Sequence, residues 1–249
     1  MNQVIETILQ HRSIRSFEDR PLSDDQIRTI VECAEAASTS SLIQAYSIIG
    51  VKDKETKQKL AELSGNQSYV ENNGHFFVFC ADLYRHKIIG EMENVDFSTT
   101  LESTEKFMVA LIDTALAAQN AAIAAESMGL GVCYIGGLQN NLHEVCKLLK
   151  IPQQVIPLFG LAVGYPAQDP DKKPRLPFHH IYHEETYQQD RSELERQLKQ
   201  YNETVSLYYK KRTSGKRDDT WTKQMSNLLS KQSRMYMKSF VESRGFSLK

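Results

Sequence analysis

The chain has 249 residues, enough for one large domain or two small ones and for a substantial core. Apolar residues make up 41% and charged residues 24%, as in ordinary soluble globular proteins, and a net charge of −1 lacks the basic excess of a nucleic-acid binder. No apolar run reads as a membrane span, and "MNQVIETILQ" lacks the basic, long apolar and small-residue parts of a signal peptide, so a cytoplasmic protein is expected.

In chain order, Val4, Ile5, Ile8 and Leu9 recur at helical spacing and predict an amphipathic helix over 2–10. The pentamer "HRSIR" follows at once, packing His11, Arg12, Ser13 and Arg15 together. A second helix starts at "PLSDDQI". Ser23 is its N-cap and Gln26, three residues on, completes a capping-box pattern. Ile27, Ile30, Val31 and Ala34 give its inner face, and the run of hydroxyls in "AASTSS" ends it.

Four short β-rich runs come next, at 45–51, 75–81, 131–136 and 157–164. Between the second and third lies a long helical region, about 98–128. As one helix it would span ~45 Å. It is apolar on nearly every side, which predicts burial at a domain centre or subunit interface, and Gly129 and Gly131 supply its stop. Residues 188–249 are charge-rich. There Leu194, Leu198, Tyr201, Val205 and Tyr208 form a narrow apolar stripe that must lie against the main body or a second subunit. The expected fold is α+β: a central sheet of about four strands, flanking long helices and a helical C-terminal arm, with residues 1–249 as a single domain. Cys33, Cys80, Cys133 and Cys146 are widely spaced in apolar surroundings without C-x-x-C, and read as reduced core thiols.

Five stretches carry polar groups suited to a ligand. "HRSIR" offers guanidinium forks and a hydroxyl, the usual partners of a phosphate, although basic pentamers are also common on surfaces. "ASTSS" at 37–41 offers hydroxyls beside a helix end, for a phosphate, a sugar or a plain turn. Gln67 in "GNQSYV" carries donor and acceptor together, which suits a heterocycle edge. In "YIGGLQNN" a strand runs into Gly136–Gly137, where a planar ligand can approach the backbone, or where the chain merely turns. In "KKPRLPFHH", Pro174 and Pro177 stiffen the chain around Lys173 and Arg175, as in a clamp. His179, His180 and His183 are close together, but no Cys or carboxylate stands at zinc spacing, so a surface loop is expected and no metal.

The chain shows no Ser–His–Asp pattern, P-loop or H-E-x-x-H. Cations and amides without an evident nucleophile point to a reaction carried by a cofactor, and a planar, phosphate-bearing one such as FMN fits the pieces.

These stretches, in this order, resemble the flavin-dependent nitroreductase superfamily, and within it the NADPH-dependent, oxygen-insensitive nitroreductase and FMN reductase group. The resemblance runs from "IETILQHRSIRSF" through "GNQSYVE", "FVFCADLYRH", "AAQNAAIAAESMGLGVCYIGGLQN" and "LFGLAVGYPAQDPDKKPRLP" to "YYKKRTSGKRDDTW". It implies a mostly antiparallel four-stranded sheet and a homodimer with FMN at the interface, the C-terminal arm embracing the partner. It implies FMN contacts at His11, Arg12, Ser13, Arg15, Thr39, Gln67, Ile135, Gly136, Gly137, Lys173 and Arg175; at Thr39, relatives often carry Ser. It places NADPH on Arg212 and Arg217, further substrate contacts on Lys231, Ser233 and Arg234, and Ser41 and Leu42 over the flavin. No side chain is implied as a catalyst, because the chemistry belongs to flavin N5. NADPH as co-substrate, and free FMN, nitroaromatics or quinones as acceptors using the site in turn, imply ping-pong kinetics. Two other readings are an FMN carrier that delivers reduced flavin to a monooxygenase, and a nonredox interaction protein working through its C-terminal arm.

Overall fold

The computed structural model describes residues 2–249. The chain forms two compact units: a larger one running through Pro170 and resumed by Arg234–Lys249, and a smaller one of Asp171–Ser233. The larger unit begins with α1 (Gln3–Leu9), α2 (Asp24–Glu35), β1 (Tyr46–Val51), α3 (Lys54–Leu63), α4 (Ser68–Glu71) and β2 (His75–Asp82). It continues with α5 (Tyr84–Glu93), α6 (Ser98–Leu101), α7 (Thr104–Ser127), β3 (Gly131–Ile135), α8 (Leu142–Leu148) and β4 (Val155–Gly164). The smaller unit holds α9 (Phe178–Ile181), α10 (Arg191–Arg212) and α11 (Trp221–Leu229); α12 (Met237–Ser243) belongs to the larger unit again.

The four strands make one sheet in the order β1–β2–β4–β3, and every neighbouring pair is antiparallel. The expected α+β class and sheet are therefore present, with strand ends moved by one or two residues. β4 begins at Val155, ahead of the expected start at Pro157, because Pro157 sits opposite Cys80 where the register slips between Phe79 and Cys80. A missing N–H is tolerated at such a bulge. All of β2 is buried, so both faces of the sheet are covered. Its alternation sends Phe77 and Phe79 toward one core with α2 and α7, and Phe76, Val78 and Cys80 toward the other. Cys80, Cys133 and Cys146 are buried and Cys33 is half-buried.

The helix expected over 98–128 is two helices. The Ser103 hydroxyl accepts from the Lys106 N–H at 3.2 Å and starts α7 afresh, leaving a helix of ~36 Å. Gly129, at φ 75°, ends α7, whereas Gly131 is already the first residue of β3. Contrary to the expectation of no spanning run, α7 is long and apolar enough to cross a membrane by composition alone; half of that stretch is buried inside the fold, on alanines that pack against α2 and β2. Met108, Ile112 and Leu116 leave an exposed apolar stripe on its other side. The apolar residues of α1, Val4, Ile5, Ile8 and Leu9, are exposed as well. In α2 the reciprocal Ser23–Gln26 capping box forms as expected.

In the smaller unit, Tyr201 and Val205 of the expected stripe are buried on α10, with Gln197 one turn earlier. Asn202 and Thr222 join α10 to α11 by two reciprocal hydrogen bonds of 2.8 and 3.0 Å. In the larger unit, α12 and the C-terminus bury Phe240 and Phe246, and the Arg244 guanidinium donates to the Ile151 carbonyl at 3.0 Å.

His75, at the start of β2, is 3% exposed, and its Nε2 is buried without a partner. Burial, helped by Lys52 and Lys57, lowers its pKa from 6.5 to about 4. Between those values the unfolded chain takes a proton that the folded chain refuses, so stability falls as pH drops from about 6.5 to 4, by about 3 kcal/mol in all. Urea unfolding across this range should show His75→Leu flattening the slope; an undiminished slope in the variant would contradict the assignment.

Candidate functional site

The segment "HRSIR" lies along β3. Ser13 pairs with Val132 in a parallel bridge, and the Ile14 N–H donates to the Val132 carbonyl at 2.9 Å. Ile14 is 5% exposed and fills the space where a side chain on Gly131 would stand: a Cβ there would come within 2.7 Å of it. Since alternate residues of an extended chain face opposite ways, burying Ile14 turns Ser13 and Arg15 outward. Parallel pairing also leads Arg15 toward the Ile135–Gly137 end of the strand. His11 Nδ1 lies 2.8 Å from Glu126, and Arg12 is ion-paired with Asp169. The Arg15 guanidinium lies over the Tyr69 ring, 6.0 Å from its centre.

Tyr69 joins this segment to Gln67. Its hydroxyl donates to Gln67 Oε1, while Gln67 Nε2 donates to the Ser64 carbonyl at 2.6 Å. Gly137 packs onto the same pair: a Cβ there would stand 2.4 Å from Gln67 Nε2 and from the Ser64 oxygen, so only glycine fits. The neighbouring Gly136 has no atom within 4 Å of its own missing Cβ and leaves open space beside the backbone. The turn Gly136–Asn140 is braced from two sides. Gln139 donates to the Leu158 carbonyl at 2.9 Å, and Tyr236 donates to the Gln139 carbonyl at 2.7 Å. Arg234, expected at the substrate, directs its guanidinium to Gln139 and Asn140 at 2.9–3.1 Å.

Thr39 precedes a short turn, Ser40–Leu42, held from α7. The carboxylate of Asp113 accepts from the Ser40 N–H at 3.0 Å and the Ala45 N–H at 3.1 Å. Leu42 is 77% exposed.

Six expected residues lie in the smaller unit. Arg175 donates to the Lys173 carbonyl at 3.1 Å, and Tyr201 fixes the intervening Pro174 carbonyl at 3.1 Å. Arg212 donates to the Tyr208 hydroxyl at 2.8 Å. Arg217 lies over the Tyr209 ring at 4.6 Å and donates to Asp219 at 2.7 Å. Lys231 and Ser233 are exposed. His179 and His180 meet edge to face, while His183 packs on Tyr187.

The Ile135–Gly137 end of β3 thus gathers the Arg15 guanidinium, an amide side chain and an open glycine turn. A cleft of about 690 Å³ at the other end of the strand, between α1, Gly129–Gly131 and Pro166–Asp169, is lined by Arg12 but by no other expected contact. Two family models match the chain: the nitroreductase family over residues 8–165, and the C-terminal domain of that family over residues 173–249. The chain belongs to the nitroreductase family. It is 56% identical to the FMN reductase (NADPH) of Bacillus subtilis, over 99% of each chain. It superimposes on the NfrA1 structure of B. megaterium with a TM-score of 0.97 at 70% identity, covering 98% of this chain and 99% of that one. It is similar also to the NADPH:FMN oxidoreductase of Vibrio harveyi, solved with NAD+, at 40% identity, TM-score 0.86 and 98% of each chain. The gap between the two family models brackets the point at Pro170–Asp171 where the structural units part.

Sequence reasoning passed over Tyr69 and Asp113. Tyr69 stood in the quoted "GNQSYV". A lone acid in the apolar "FMVALIDTALAAQ" of a buried helix was the signal for Asp113, because such an acid needs a partner.

Proposed function

We propose that this nitroreductase-family chain is an NADPH-dependent FMN reductase and nitroreductase, acting on free flavin, nitroaromatics or quinones. The observation that carries the reading is the convergence of Arg15, Gln67 and the Gly136–Gly137 turn at one end of β3. These residues fit a flavin. Gly136 leaves room for a flat ring to approach the backbone, Gln67 is held where its amide can meet a heterocycle edge, and the cations of "HRSIR" suit a phosphate. Bound FMN would take hydride from NADPH and pass electrons to the second substrate, so both substrates use one place in turn.

The chain supplies binding and electrostatics. Arg12 and Arg15 share the phosphate and the ring edge between them, with His11 and Ser13 beside them. Cationic and N–H groups near the ring stabilise negative charge as it develops. Thr39, Ile135, Lys173 and Arg175 complete the proposed FMN contacts, the last two on family resemblance alone. Ser41, Leu42, Lys231, Ser233 and Arg234 are proposed at the substrate, Arg234 through the turn it braces. Arg212 and Arg217 are proposed for the 2′-phosphate of NADPH, which would take the place that Asp219 holds on Arg217.

We also propose a homodimer with FMN at its interface. The exposed apolar stripe of α7 and the exposed apolar residues of α1 support it, being costly to leave in water. A cytoplasmic location agrees with the buried thiols.

Arg15→Ala should weaken FMN binding about 10- to 100-fold, the value of a charge-assisted hydrogen bond, while sedimentation still reports a dimer. Full flavin content in the variant would sink the assignment. Arg217→Ala should lower the ratio of NADPH to NADH activity by about tenfold. An unchanged ratio would remove Arg217 from the nucleotide site.

A further inference from the structure

The connection from α2 to β1 is held in an unfavourable shape. Ser41, Leu42 and Gln44 have φ of 47°, 58° and 54°, and no other four-residue stretch among the described residues holds three left-handed non-glycine residues. Side chains with a Cβ avoid this region, so local preference does not set the shape. The three left-handed residues are themselves exposed, Leu42 standing out into solvent, and only Ile43 between them packs on the core, so burial of their own side chains does not set the shape either.

Asp113 accounts for it. Its side chain is fully buried on α7, and its two oxygens take the amides of Ser40 and Ala45, which bracket the three left-handed residues. His86 adds a third tie, its Nε2 lying 2.8 Å from the Ile43 carbonyl. Strain fixed in an exposed, hydroxyl-bearing lip by a buried acid at its root is the pattern of a functional segment.

We propose that Asp113 is a positioning residue for the reaction: by gripping the Ser40 and Ala45 amides, it holds Thr39, Ser41 and Leu42 in the backbone shape that presents them to cofactor and substrate. The proposal rests on reading this lip as part of the FMN site. It assigns Asp113 no contact with the reacting atoms. An asparagine in its place would accept from one amide and turn an N–H toward the other.

The test compares the wild-type holoenzyme with Asp113→Asn and with Ser40→Pro. The second removes one donor while leaving the carboxylate in the core, and the extended Thr39 backbone (φ −128°, ψ 154°) already suits a following proline. Amide exchange in Asp113→Asn should quicken about tenfold or more at Ser40 and Ala45, with exchange along the four strands unchanged. In flavin-loaded enzyme of either variant, KM for NADPH and a nitroaromatic acceptor should rise about tenfold, with kcat within about twofold. Unchanged KM in a folded, flavin-loaded variant would overturn the proposal and leave Asp113 as a fastener of two amides. Should Asp113→Asn fail to fold, the same KM criterion applied to Ser40→Pro decides. A wild-type protein that takes up no FMN would overturn the reading of the site, and the role of Asp113 with it.

Discussion

The site depends on one packing constraint, the seating of Ile14 against Gly131. Any side chain at 131 would occupy the place of Ile14. With glycine there, the N-terminal segment can lie against β3, hydrogen-bonded to Val132. Burial of one isoleucine then decides where four polar residues go. Ser13 and Arg15 face away from the core, and the parallel direction carries Arg15 to the glycine turn. The hydrophobic contact supplies the energy, and the cations are placed by it.

The charges on the proposed ligand residues are balanced rather than bare. His11 meets Glu126, Arg12 meets Asp169, and Arg217 meets Asp219. These pairs differ in how firmly they hold. Glu126 is largely buried, whereas Asp169 is mostly exposed, so water and salt weaken its hold on Arg12. On the proposed reading, a phosphate with more charge and more acceptor oxygens than one exposed carboxylate would take Arg12 from Asp169, and a second would take Arg217 from Asp219. The glycine turn uses a different device: hydrogen bonds from Gln139, Tyr236 and the Arg234 guanidinium to uncharged acceptors hold its shape.

Most of the sheet was legible in the sequence because its strands are short apolar runs between polar residues. The α2 start was legible because a capping box is a local signal. The features that were not legible depend on contacts distant in the chain. Pro157 is read as a strand boundary until its bulge opposite Cys80 is seen. Ser103 starts α7 afresh with a single side-chain cap inside the mostly polar run 98–106, ahead of the apolar stretch. The exposed faces of α1 and α7 look like core positions, since periodicity does not say what covers a face. Residue types at the site were legible from chemistry and from family resemblance. The supports were not: Asp113 acts 73 and 68 residues away from its two amides, and Tyr69 gains meaning only between Arg15 and Gln67.

The central claim is that this cradle makes the chain a self-sufficient NADPH-dependent flavin enzyme. An anaerobic titration tests it most directly. The protein is loaded with FMN, NADPH is added stepwise, and free FMN or a nitroaromatic is then mixed in with no other protein present. The account predicts a yellow protein that bleaches in proportion to added NADPH and recovers its colour as the acceptor is reduced. A protein that stays colourless after incubation with FMN, or keeps its colour through the titration, would contradict it.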